Sequence, residues 1–268
     1  MSKRFIFAVA IMVCILTGAF FAPYLTNGDP QYIDVSQKLM APSQQHWLGT
    51  DQLGRDVFTR LLYGARYSLS IALIISLLEL SIGFLVGLVV GWYQGKIESL
   101  FLWLTNIIAA FPSFQLALAT VGILGQGMTN MIVAIVLIEW VYYARLVTNL
   151  VKSAKAELYV LNAQMMGMSV IHILRKHIFP FIYKPILVLG LMNIGNIILM
   201  ISSFSFLGIG VQPNLTEWGM MLHDARTYFR TAIWMMVSPG LAIFLTVIAF
   251  NILGEHFDQK GWTKKWKN

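Results

Sequence analysis

The stretch from Lys152 to Pro180, KSAKAELYVLNAQMMGMSVIHILRKHIFP, decides how the rest of the chain is read. It is basic and helix-forming, and it stands between long apolar runs in a chain that is 57% hydrophobic. Before Gly167, the residues Tyr159, Ala163 and Met166 fall on one helical face. After it, Ile171, Leu174 and Ile178 do the same, while Ser169, His172 and Lys176 face away. Glycine permits a sharp change of direction between two short helices, and Pro180 is expected to end the second. The product is a compact knob with an apolar ridge and basic flanks. Such a knob suits a groove on a soluble partner; it equally suits a helix resting on lipid. The residues alone leave both readings open.

Outward from this insert the chain is a membrane protein. Only 12% of its 268 residues are charged, against about 25% in soluble domains, and the mean hydropathy is +0.70. Six apolar runs, at about 5–25, 67–92, 100–121, 129–148, 186–209 and 232–254, are each long enough to cross a bilayer as helix. Strand-type alternation is absent, which argues against a barrel. The expected fold class is an all-α membrane protein with six transmembrane helices. The first run follows Lys3 and Arg4, and its apolar stretch from Phe5 to Ala22 exceeds the usual length of a cleaved signal. It reads as a retained span.

Lysine and arginine asymmetry sets the expected orientation. With both termini cytoplasmic, 13 basic residues lie on or beside the inner face and six lie outside. The net charge of +7 is then a topology signal and not a nucleic-acid footprint. Cys14 is the single cysteine, expected to serve packing.

Three divisions follow: residues 1–65 with the first span and an external loop, 66–255 as a five-helix core carrying segment 152–180, and 256–268 as a basic tail. In the loop, Leu53, Val57, Leu61 and Leu62 recur at helical spacing from Asp51 onward. This predicts a helix lying on the outer surface before the chain re-enters at Gly64, Ala65 and Arg66. Gly83, Gly87, Gly91 and Gly95 share one face of the second span, a groove for close approach of another backbone. Phe111-Pro112 interrupts the third span and should kink it. Asn106 and Gln115 flank that kink. With Asn193 and Asn196 of the fifth span and the intramembrane Glu79, they are the candidates for a translocation pathway.

No chemistry of its own stands out. The nearest approach to a phosphate-cradling loop, GWYQGK at Gly91–Lys96, is one residue short. No zinc-hydrolase motif occurs, and Glu255, His256 and Asp258 read as a solvated helix end. Met192, Met200, Met220 and Met221, with His223 and Asp224, read as packing more than as metal handling. No metal ligand set and no catalytic residue is expected. Glu79 and Glu139 within spans are expected to pair with bundle partners such as Arg66 or Arg145. Their alternative role is to carry a proton- or ion-coupled secondary transporter.

At this point the residues match a family. The chain resembles the permease subunits of ABC-type importers, in the branch that carries peptides and nickel. That family has a cytoplasmic loop opening Glu-Ala-Ala, with a glycine six residues after the Glu and a proline thirteen after the glycine. Here Ala163, Gly167 and Arg175–Pro180 fit, whereas Leu161 and Asn162 replace the expected Glu and first Ala. Further matches are His46–Asp51 with Gly54–Asp56, Leu62–Arg66, Ser205–Pro213, Trp218-Gly219, Pro239-Gly240 and Asn251–Gly254. The resemblance covers about residues 1–260.

The resemblance implies a type I importer-like permease in the cytoplasmic membrane that is not itself an enzyme. It implies a second homologous permease, two ATP-binding cassette subunits that use ATP-Mg, and an extracytoplasmic substrate-binding protein, around a chain that binds no cofactor. The insert then becomes a coupling helix, with Tyr159, Val160, Ala163, Met166, Gly167, Ile171, Leu174, His177 and Pro180 as the expected ATPase-docking residues. Di- or oligopeptides, or nickel-type metal chelates, are the implied cargo.

Overall fold

The computed structural model describes residues 3–26, 28–210 and 215–261. Val211, Gln212 and Pro213 of the later motif, and Lys264, Lys265 and Lys267 of the tail, lie outside the described residues. Among the described residues the elements are helical. Helix α1 (Lys3–Phe20) and a short α2 (Ala22–Leu25) precede a loop, then α3 (Val57–Tyr93), α4 (Gly95–Ala109), α5 (Ser113–Leu124) and α6 (Met128–Lys155). The insert forms α7 (Leu158–Met165) and α8 (Val170–Ile173), followed by a π-helical turn at Leu174–Ile178, α9 (Phe179–Phe206), α10 (Trp218–Ala225) and α11 (Trp234–Gly261).

Among the described residues, five helices are long and apolar enough to cross a membrane, or six when α4 and α5, bent by 86° at the Pro112 break, count as one span. This is the expected helical membrane bundle. The kink at Phe111-Pro112 is therefore real and sharp: Pro112 is extended and opens α5.

The most extensive helix pair is α3 with α6, and glycine explains why. A Cβ built on Gly87 would sit 2.6 Å from Val147 Cβ and 2.7 Å from the Ala144 carbonyl; one on Gly91 would sit 2.7 Å from Val151 Cβ. Gly83 presses on Tyr143 and on the Trp140 carbonyl in the same way. The small-residue stripe thus brings two backbones together without an intervening side chain. Gly95 does not belong to it: it opens α4 at φ +60 with open space around it.

Three expectations are corrected. The residues from Val57 onward are no separate surface helix; they are the first turns of α3, which runs through Gly64, Ala65 and Arg66 without a break. At 37 residues and about 1.5 Å per residue, α3 outreaches a hydrocarbon core of about 30 Å, so an apparent loop helix and a span are one rod. Pro180 does not end a helix either. The chain stays helical from Val170 to Phe206, because the π turn places the Phe179 amide on the Leu174 carbonyl and rearranges the ladder just where proline lacks a donor. Finally, Cys14 does not pack inside; it is exposed on α1.

Candidate functional site

The insert is built as a base and a crown. Helix α7 is two turns long and closes on Gly167 at φ +74, where few residues other than glycine are comfortable. The amide of Met168 donates to the Ala163 carbonyl at 3.1 Å and that of Gly167 to the Gln164 carbonyl at 3.0 Å. This pair of bonds satisfies the helix end and reverses the chain. Ser169 then caps α8 by accepting from the His172 amide.

Val160, Ala163, Ile173 and Ile178 point inward and form one apolar cluster with Trp92, Val147, Val151, Ala154, Ile182 and Ile186. They bolt the knob to α3, α6 and α9. The crown is the opposite side: Met165 is 79% exposed, Met166 76% and Ile171 69%, with Tyr159, Leu158 and Leu161 beside them. The predicted faces are therefore split. Tyr159 and Met166 are on the crown but Ala163 is in the base; Ile171 is on the crown, Leu174 is half-buried and Ile178 is in the base. Two turns of helix carry too little periodicity to separate the two sides. The His177 ring lies 5.9 Å from that of Tyr159, joining the π turn to α7. Burial and the neighbouring Glu157 carboxylate push the Tyr159 phenol up, so it stands as a neutral hydrogen-bonding group on the crown. Pro180 is exposed where α9 begins.

The base is tied further by two lysines of α6. Lys152 Nζ lies 2.6 Å from Glu98 Oε1. Lys155 Nζ donates to the Trp92 carbonyl at 2.6 Å and sits 5.0 Å from the centre of the Trp92 ring.

Within the bundle, the structure brings together three of the five candidate pathway residues. Asn193 donates to Glu79 Oε2 at 3.3 Å, and Asn196 to Asn193 Oδ1 at 3.5 Å. Asn106 belongs elsewhere, accepting from Arg145 at 2.9 Å, and Gln115 is exposed on α5. The expected pairing of Glu79 or Glu139 with Arg66 or Arg145 does not occur among the described residues: Arg66 lies over the Tyr63 ring and Arg145 serves Asn106. Glu79 is fully buried and its Oε1 has no partner. Asn193→Ala is expected to cost about 1–2 kcal/mol, read as a lower unfolding temperature of the purified protein, because it leaves both carboxyl oxygens unmatched.

Comparison with known proteins now decides the family. Residues 83–262 match the model of the binding-protein-dependent transport system inner membrane component. The chain belongs to that family. It is an ABC importer permease, a transport component and not an enzyme. The permease is 38% identical over 248 residues to the nickel transport system permease protein NikC of Escherichia coli (strain K12), covering 92% of this chain and 88% of the relative. It is 37% identical over 254 residues to the dipeptide transport system permease protein DppC of Alkalihalophilus pseudofirmus (95% and 84% covered). It is 40% identical over 250 residues to the glutathione transport system permease protein GsiD of Pectobacterium atrosepticum (92% and 83%). As such, the permease is a multi-pass inner membrane protein that works with ATPase and substrate-binding partners.

At the end of the permease opposite the insert lies a charged cluster that reading the residues one by one missed. Asp51 is buried; its Oδ2 accepts from Arg55 Nε at 2.7 Å and Arg60 Nη1 at 2.5 Å, and its Oδ1 from the Leu53 and Arg55 amides. Asp224 of α10 takes the outer nitrogens of both arginines at 3.2 and 3.1 Å. The 51–60 motif thus stitches the loop and α3 to α10. Trp218 finishes the joint: it is buried, and its indole donates to the Leu61 carbonyl at 3.0 Å. Glu217 caps α10 through the Gly219 and Met220 amides. Asp224 and His223, once metal-handling candidates, are spoken for: the first by the arginines, the second by the Phe206 carbonyl at 2.8 Å.

Proposed function

We propose that the permease is one half of a two-permease pathway, moved by a pair of ATP-binding cassette subunits that grip the insert from the cytoplasm. ATP-Mg is used by those subunits and no cofactor is held by this chain. The observation that carries the reading is the division of the insert: an apolar crown of Leu158, Tyr159, Leu161, Met165, Met166 and Ile171 stands exposed on a base locked to three spans. A crown without a locked base transmits no displacement; here a shift of the crown is a shift of α6 and α9. Leu161, where the family has Glu, is itself exposed, so it adds apolar area in place of a polar contact.

The basic excess beside the insert supports a cytoplasmic placement of both termini and of the knob, with the segment before α3 and the Asp51–Arg55–Arg60–Asp224 joint toward the substrate-binding protein. The relatives' names, which are those of nickel, dipeptide and glutathione transport systems, support a small peptide or nickel as cargo. Cargo drives the cycle only by binding the inward- and outward-open states differently.

The test is Gly167→Val. A Cβ at this position meets nothing within 4 Å, so folding and insertion survive. Holding a branched residue at positive φ costs about 1–2 kcal/mol, which shifts the loop roughly tenfold away from its docking shape. In reconstituted complexes, ATP hydrolysis is expected to persist while uptake of labelled dipeptide or nickel falls about tenfold. Coupled uptake at the native rate would count against the docking role.

A further inference from the structure

Beside the crown, and sharing Ile171 with it, lie two adjoining cavities. The first, of about 480 Å³, is lined by Leu85, Leu88, Val89, Trp92 and Tyr93 of α3 and by Val170, Ile171 and Leu174 across from them. The α3 residues recur at helical spacing, so they form one apolar wall along the rod. The second, of about 490 Å³, is lined by Ser169, Ile171, His172, Arg175 and Lys176. Ser169 and Ile171 line both, so the two lie side by side. No carboxylate lines either one, and among the described residues Arg175 and Lys176 make no ion pair.

We propose that this slot is a binding site for an anionic phospholipid of the cytoplasmic leaflet: one acyl chain along the Leu85–Tyr93 wall, the phosphate at Arg175, Lys176 and the Ser169 hydroxyl. The inference rests on the cytoplasmic placement of the insert. The shape and polarity favour a lipid. The wall runs from Tyr93, at the end of α3, back to Leu85, eight residues or about 12 Å along the helix axis, a length that suits an acyl chain. The site is divided by polarity: His172, Arg175 and Lys176 line one part, and the other is lined by apolar side chains apart from Ser169. An amphiphile with a negative head has that polarity. Basic pockets at the cytoplasmic ends of spans bind lipid head groups in this way. Tyr93, exposed at the end of α3, marks the same interface. A lipid held here would brace the joint between α3 and the insert, so membrane composition would tune coupling.

The test uses the whole transporter complex in nanodiscs of phosphatidylcholine with phosphatidylglycerol, the lipids that stay bound being counted by native mass spectrometry. Wild type is expected to retain phosphatidylglycerol in preference to phosphatidylcholine. The R175Q/K176Q variant, altered only at exposed side chains, should lose that preference by roughly 30-fold, from about 1 kcal/mol for each cation. Val89→Trp fills the slot with both charges in place and should lower retention of the same lipid. Equal retention in either variant overturns the site. Loss of the ATPase subunits from R175Q/K176Q with lipid retention unchanged also overturns it and assigns the surface to the protein partner. The placement it rests on is read separately, by labelling of a cysteine at Met166 from one side of the membrane, in a chain whose Cys14 is replaced by serine.

Discussion

Replacing Asp51 with alanine is expected to remove about 3–5 kcal/mol of stability, the cost of leaving buried charge without its partner. Asp51 is 1% exposed and holds two guanidinium groups and two backbone amides. Without it, Arg55 and Arg60 share only Asp224 Oδ2, and Arg60 Nε already lacks a partner. Water enters poorly, because both arginine side chains are under a tenth exposed. The loss should appear as reduced permease in membranes and a lowered unfolding temperature. Asp224→Ala is expected to cost less, about 1.5–3 kcal/mol for its charge-assisted bonds, since its carboxylate is 14% exposed and solvent can replace it. Equal losses in the two variants would mean that the joint is not graded by burial.

The second large effect is expected at the α3–α6 seam. Gly87→Leu places side-chain atoms where Val147 Cβ and the Ala144 carbonyl already lie within 2.7 Å of the first carbon. Neither neighbour is the far end of a flexible side chain, so the helices must part. Overpacking of this kind costs about 1–3 kcal/mol in well-packed cores, occasionally more, and here it also opens the flanking Gly83 and Gly91 contacts. Folded protein recovered from membranes should fall sharply, with even Gly87→Ala measurably worse than wild type. The control is Gly240→Ala in α11, where an added Cβ meets nothing within 4 Å. It should be neutral or gain up to about 1 kcal/mol from lost chain freedom. If Gly87→Leu and Gly240→Ala are alike, the stripe is not the contact described here.

What the sequence showed in advance divides along physical lines. Spans were legible because apolar length alone dictates them, and Pro112 announced its kink because proline removes a donor wherever it stands. The same rule misled at Pro180, where a π turn reorders the ladder ahead of the ring; that adjustment has no one-residue signature. The start of α3 was read as a surface element because polar residues precede Gly64, yet a helix longer than the bilayer keeps going into water.

For the site, the position of the insert and of Gly167 was legible from spacing. Its base and crown were not, since Ala163 and Met166 differ in burial by packing against α6 and the bundle, which a two-turn helix cannot foretell. The charged joint was hidden for another reason. Asp51 and Asp224 are 173 residues apart, and only the fold lays both against Arg55 and Arg60. The one available signal was the density of Asp and Arg in 51–60 with Trp218-Gly219 downstream, which sequence reading used for resemblance and not for contact.

The most direct measurement is photocrosslinking in membranes holding the whole transporter, with the reactive residue placed at Met166 on the crown or at Val160 in the base. An adduct with the ATPase subunit is expected from Met166 and none from Val160. No adduct from Met166, while the same membranes still import substrate on ATP, would contradict a motor that grips the permease by this knob.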